Sequence, residues 1–415
     1  MSLAPRASSP PTSHSAHPRL GHLLAVTPLP TAAGQEWRVE RYIEQWAEHR
    51  GDVSLARDEA GNITVTLKAA TPTDRPLFIT AHLDHPAFVV ERIIGPGTVE
   101  LSFRGGVMAV FFKSAAVQVF TRNGFAVPGT LTSELATRSA SGEHYVCELE
   151  GPHAREVSRL DIGRWLMPAK PRIDEQGILH TPACDDLSAV AAALQTIDEL
   201  LASAKQSRTP PTDTRLLFTR AEEIGFIGAI AATKAQTMPR ESLVIALENS
   251  RAFDDSPVGG GPIVRVGDRI SVFTPWLTAA CAARAEAVFG GASTPRASET
   301  AASIKKRPWQ RKLMAGGACE ASVFCQGGYD ATCICLPLGN YHNMPHLDAH
   351  QAGTYDEDKH GPARCEPEFI HTEDYLGMVD LLVALAKKHP STADSGFAGR
   401  LDKLLGDCRY VLDER

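Results

Sequence analysis

The sequence predicts an α/β protein, an αβα sandwich around a mostly parallel sheet, interrupted by a small all-β insertion. Three observations carry this. Short apolar runs alternate with amphipathic stretches on both sides of a central segment, the pattern of helices laid over a sheet. The run "LFITAHL" (77–83) shows no polar alternation, as expected of a strand buried on both faces. From 86 to 170 helical periodicity stops, and "FVVERIIGPGTVELSF", "AAVQVFTRNGFAVPGTL" and "HYVCELEG" read as short strands separated by Gly, Pro and Asn-Gly turns.

Taken in order, residues 1–20 are Pro/Ser-rich without an apolar run and read as a disordered tail. In "EWRVERYIEQWAEH" (36–49), Trp37, Val39, Tyr42, Ile43 and Trp46 recur at near-helical spacing and predict an amphipathic helix. "NITVTL" (62–67) and 77–83 follow as strands. After the insertion come a helix at 186–204, strands at 215–221 and 242–249, a helix at 274–289, a strand at 330–338 and a closing helix at 373–388. The expected division is 21–85 with 171–390 as one α/β domain, 86–170 as the inserted domain and 391–415 as a C-terminal extension. "KKRPWQRK" (305–312) and the His- and acid-rich stretch 346–371 read as solvated loops.

Composition excludes several classes. The chain has 415 residues and 43% hydrophobic content, ample for a large core. Net charge is -7, pI is about 6.1 and no Lys/Arg stripe stands out, so no nucleic-acid partner is expected. No apolar stretch is read as approaching the roughly 20 residues of a bilayer span, so no membrane partner is expected either. The nine cysteines are odd in number and contain no CxxC pair, which argues against a disulfide framework and for a cytoplasmic protein. Cys184 reads as a small packing residue.

In an open α/β sheet, sites form outside the carboxyl ends of the strands. Those ends carry His82 and Asp84 after "LFITA", Glu222 and Glu223 after "RLLFTRA", Glu248 after "LVIAL", and His342 after "CICLPL"; Asp185 and Asp186 precede the helix at 187. Each element has an ordinary reading of its own: Asp-Asp as a helix cap, Glu-Glu as a solvated face. Together they deliver only His, Asp and Glu to one sheet edge, a donor set suited to zinc or a similar divalent ion.

The order HxD, Asp-Asp before a helix, "AEEIGFIGA" (221–229), a carboxylate after the next strand and a His after "LPLGNY" resembles the co-catalytic dinuclear metallopeptidases, most closely the tetrahedral or glutamyl aminopeptidase family. "VGGGPIVRVGD" (258–268) and "GGACEASVF" (316–324) resemble further segments of that family, and the resemblance spans about residues 20–390. It implies that the insertion is a small β-barrel and that the α/β part is the catalytic domain. It also implies two divalent metal ions, with zinc expected and cobalt or manganese as alternatives. His82, Asp185 and Glu248 would hold one ion, and Asp185, Glu223 and His342 the other. Asp84 would orient His82, and Glu222 would be the general base for a metal-bridging water. The implied activity is removal of N-terminal residues from peptides by a homo-oligomer. A deacylase or carboxypeptidase on the same metals, or a catalytically silent peptide-binding subunit, are the alternatives. His85 and Pro86, Glu248, and Cys319 with Glu320 depart from the family's usual residues. His346 stands four residues beyond His342 as the competing last ligand.

Overall fold

The structure is a computed structural model, and it describes residues 17–132, 137–139, 142–290 and 308–413. An eight-stranded sheet forms its centre. From one edge the strands run Val53–Arg57, Ile63–Leu67, Thr214–Thr219, Leu77–His82, Leu243–Arg251, Asp330–Leu338, Ile263–Asp268 and Gln310–Met314. The middle four are mutually parallel, with Thr219 beside His82 and Glu248 beside Cys335. Antiparallel strands flank them at Ile63–Leu67 and Ile263–Asp268.

Alternation along the central strands explains the three layers. Ile79 and Ala81, Leu216 and Phe218, and Ile245 and Leu247 point into one core, shared with the helices Trp37–Glu48, Leu187–Ser207, Pro275–Phe289 and Thr372–Lys387. Phe78, Leu217 and Val244 point the other way, against the helices Ile227–Ala235 and Glu320–Gln326. Successive side chains on a strand face opposite sides, so strands covered on both faces read as unbroken apolar runs. The Leu187–Ser207 helix is long and apolar enough to cross a membrane by composition, which corrects the expectation that no stretch approaches that length. It is a core helix, with twelve residues from Leu187 to Leu201 buried.

Between Ala87 and Trp165 the strands Thr98–Arg104, Ala87–Gly95, Ile162–Trp165, Ala116–Phe120, Ala126–Leu131 and Gly142–Leu149 pair in that order, and the last closes on the first. The result is a six-stranded antiparallel barrel. Its core is aromatic: Phe88, Phe103, Phe112, Tyr145 and Trp165 pack with ring centroids 4.5–6.2 Å apart, a spacing that favours edge-to-face and offset contacts.

Three local expectations are corrected. Residues 18–20, expected in a disordered tail, are ordered: Pro18–Leu20 form a 3-10 turn, Leu20 is buried, and Arg19 pairs with Glu199 at 2.6 Å and Asp380 at 2.7 Å; residues 1–16 lie outside the described residues. Of "KKRPWQRK", 305–307 lie outside the described residues, Trp309 is buried, and Gln310 begins an edge strand whose exposed Arg311 and half-buried Lys312 gave the segment its solvated look. The stretch 346–371 is not surface throughout. Glu368–His371 is a strand in a small sheet with Ile178–Thr181, and Glu368 is fully buried.

Candidate metal centre

The four parallel strands release their chain at one edge, and the functional side chains collect there. Asp84, two residues past its strand, is fully buried. Its two carboxylate oxygens accept the amides of Glu222 and Glu223, each at 3.0 Å. One of them also lies 3.4 Å from His82 Nδ1. A single carboxylate thus fixes both the imidazole and the Glu-Glu turn. The turn is tight, with positive φ at Ala221, Gly225 and Phe226. Gly228 backs onto it, and a Cβ there would stand 2.4 Å from the Arg220 carbonyl.

Asp185 lies between two imidazoles. One oxygen is 3.4 Å from His82 Nε2 and the other 3.6 Å from His342 Nε2. His82 Nε2 also faces Glu248 at 3.7 Å and Glu222 at 3.8 Å, while His342 Nε2 faces Glu223 at 3.5 Å. Donor atoms of His82, Asp185, Asp186 and Glu248 lie within 4.8 Å of one another, as do those of Asp185, Glu223 and His342, and those of His82, Glu222 and Glu223. The structure therefore brings together all eight residues singled out at the strand ends and before the helix, Asp84 included. Glu248 sits inside its strand, which continues to Arg251, and not in the loop after it. His346 is exposed and stands beside His360 instead, with ring centroids 4.7 Å apart.

These residues fit a cation. His342 Nδ1 lies 2.7 Å from the Gly106 carbonyl, which can only accept. A neutral ring would carry its proton on Nδ1 and turn its Nε2 lone pair toward two carboxylates, an arrangement that a cation between them stabilises. Asp185 Oδ1 and Glu223 Oε1 are buried without a hydrogen-bond partner, a costly state for an ionised group unless a cation coordinates it. Burial drives Glu222, Glu223 and Glu248 upward, and neighbouring carboxylates add to it: Glu248, Glu223 and Asp84 on Glu222, Asp185 first on Glu223, and Asp185 on Glu248. Burial alone would lower His82, but Glu222, Asp185, Asp84 and Glu248 outweigh it and raise it well above its usual value. Asp185 goes the other way, because His342 and His82 overcome its burial. Imidazole nitrogen with carboxylate oxygen is a zinc-type donor set.

Sequence reasoning missed the residues that hold the ligands. Glu368 Oε2 accepts the amides of Cys184 at 2.6 Å and Asp185 at 3.0 Å, and its Oε1 accepts that of His342 at 2.9 Å. Burial first, and the Asp185 charge second, push Glu368 up to about 8. His85, noted only as a departure, sits with Nδ1 2.5 Å from the Asp185 carbonyl and Nε2 3.0 Å from Asn343 Oδ1; both are acceptors, so the single N–H of a neutral ring serves one of them. Burial lowers its pKa to about 4, against the pull of Asn343 and Asp185. Glu36 accepts the Ala221 amide at 3.0 Å and binds Arg220 at 2.8 Å, steadying the Glu-Glu turn from behind. Only His85, next to HxD, carried a sequence signal; Glu36, Asn343 and Glu368 belong to no spacing pattern. Beside the cluster a cavity of about 430 Å³ opens, lined in part by Glu248, Arg265, Met314, Tyr341, His342 and, from the barrel segment, Met108.

The family model of the M42 glutamyl aminopeptidases matches residues 61–288. The Bacillus subtilis (strain 168) protein YhfE, an aminopeptidase by name, is 26% identical over 214 residues; the match spans 48% of this chain and 60% of that relative. The TET1 peptidase of Pyrococcus horikoshii superposes with a TM-score of 0.66 at 18% identity, covering 89% of this chain and 99% of its own. The TET aminopeptidase of Thaumarchaeota archaeon SCGC AB-539-E09 does so with a TM-score of 0.66 at 18% identity, covering 91% and 98%. These two likenesses speak to the fold, whereas the family model covers more than half of the sequence, and the chain belongs to the M42 glutamyl aminopeptidase family.

Proposed function

We propose that the protein is a metal-dependent aminopeptidase that hydrolyses the first amide of peptides with a free N-terminus. The observation that carries this reading is Asp185 set between His82 and His342, at 3.4 and 3.6 Å. In this reading His82, Asp185 and Glu248 hold one divalent ion, and Asp185, Glu223 and His342 hold a second, zinc being expected and cobalt or manganese the alternatives. Such ions, when bound, polarise a peptide carbonyl and make water acidic enough to attack near neutral pH.

The chain's own residues do the rest. Asp84 aims His82 and anchors the turn that presents Glu222 and Glu223. Glu222, 8% exposed at the cluster, takes a proton from the attacking water on its carboxylate and returns it to the leaving amine. Its neighbour Glu223 is the ligand, so the two adjacent carboxylates have separate tasks. We further propose a homo-oligomer, because the Pyrococcus horikoshii TET1 peptidase assembles into a tetrahedron or a large octahedral shell.

The test is mass-spectrometric digestion of a mixed peptide pool by zinc-loaded protein, each peptide supplied free and N-acetylated. Stepwise loss from free N-termini alone is the expected result. Cleavage of the acetylated copies would transfer the protein to the deacylases or carboxypeptidases, and metal binding without cleavage would make it a silent peptide-binding subunit.

A further inference from the structure

The C-terminal segment carries an apolar face that no described residue covers. The helix Phe397–Cys408 and the short helix Tyr410–Asp413 have no buried residue, and Phe397, Leu401, Leu404 and Val411 are 61%, 48%, 53% and 53% exposed. Phe397, Leu401, Leu404, Cys408 and Val411 follow one another at steps of four, three, four and three. That is the seam of a two-stranded coiled coil. Arg409, between the two helices, keeps right-handed helical angles, so the seam is continuous.

Alone, this helix has little to hold it. Gly399 and Gly406 lie inside it, the poorest helix formers after proline, and Gly396 at its start offers no side-chain cap. A helix of this length is marginal in water unless its apolar face packs.

We propose that the segment joins two copies of the chain by antiparallel pairing of these helices. Charge sets both the direction and the partner. Arg400 and Asp407 occupy the flanking positions immediately before Leu401 and Cys408. In an antiparallel pair these flanks face each other, so Arg400 meets Asp407 of the second copy and Asp407 meets its Arg400. A parallel pair sets the same two residues against Leu405 and Leu412 and leaves both charges unmatched. The antiparallel seam also seats Leu401 against Leu404 of the second copy, and Phe397 against the smaller Cys408, large against small. A pattern complementary to itself under a two-fold axis points to a second copy and not to a foreign protein. Two heptads bury less than the roughly 1,200 Å² of a stable free-standing interface, so the contact is concentration-dependent and adds to whatever else assembles the chain.

The experiment is mass photometry and sedimentation of the full-length protein over a concentration series, with Arg400→Asp, the double variant Arg400→Asp/Asp407→Arg, and a chain ending at Ser395. Arg400→Asp is expected to weaken the association step roughly tenfold, the double variant to restore it, and the shortened chain to lose it. In a Cys408→Ser background, oxidative cross-linking of Leu401→Cys copies mixed with Leu404→Cys copies should exceed that of either alone. Unchanged association in all three variants, no rescue by the double variant, or self-cross-linking of Leu401→Cys copies above the mixed pair would each overturn the proposal.

Discussion

Glu368 holds the backbone of Asp185 from beneath the cluster: its Oε2 accepts the Asp185 amide at 3.0 Å, while its Oε1 accepts that of His342 at 2.9 Å. One buried carboxylate therefore sets the positions of two proposed ligands that lie 157 residues apart in the chain, at 185 and 342. It touches no reacting atom. Its effect is on the geometry of the residues that do.

Glu368→Gln replaces one acceptor oxygen with an N–H donor facing a backbone N–H. The expected outcome is a fold that remains native by circular dichroism and a zinc affinity lowered about 10- to 100-fold, read by competition with a chromophoric chelator. Unchanged affinity would confine Glu368 to a structural role.

Asp185 belongs to both proposed ion sites, so Asp185→Ala should remove both. Zinc at about a hundred times its dissociation constant adds about 2.7 kcal/mol of stability to a protein with one preformed site. The parental protein should therefore melt at a higher temperature with zinc than after chelation, and Asp185→Ala should melt alike in both. A variant that keeps the full zinc shift would remove Asp185 from the centre.

Gly228 lies against the turn that carries Glu222 and Glu223. An added Cβ would stand 2.4 and 2.5 Å from backbone atoms of Arg220 and 2.7 Å from Asn62 Oδ1, and the backbone cannot swing aside as a side chain would. Gly228→Ala should cost about 1–3 kcal/mol in urea denaturation and impair turnover through the displaced turn.

Asp374 accepts the amides of Gly259 and Gly261, each at 2.7 Å, and burial raises it to about 7. In the unfolded chain an aspartate titrates near 3.9, so this group favours the protonated form only in the fold. Its contribution to stability is complete below about 4 and is lost as pH rises through about 7. Asp374→Asn, with no proton to lose, should flatten that part of the profile. Urea denaturation of both proteins at pH 5 and pH 8 should show a larger drop for the parental one.

Most of the frame was legible because two periods dominate it. The helices at 37–48 and 275–289 and the strands at 77–82 and 330–338 fall within a residue or two of their expected bounds, since apolar runs of such length admit few alternatives. Strands Val53–Arg57 and Gln310–Met314 escaped notice because edge strands carry charge on one face, and Ile263–Asp268, inside the sheet, because Arg265 and Asp268 break its apolar run. At the site, residues met as adjacent pairs at strand ends, such as Asp185–Asp186 and Glu222–Glu223, announced themselves. Glu368 did not: a carboxylate that works by accepting backbone amides from distant segments has no spacing rule, and its polar neighbours in "RCEPEFIH" suggested solvent.

In the proposed reading Glu222 transfers the proton and its neighbours bind the metal. The most direct measurement is zinc content by mass spectrometry together with initial rates on a free-N-terminal peptide, for the parental protein and Glu222→Gln. Equal zinc content and a rate lower by about 10²- to 10⁴-fold are expected. Equal zinc with an undiminished rate would contradict that reading.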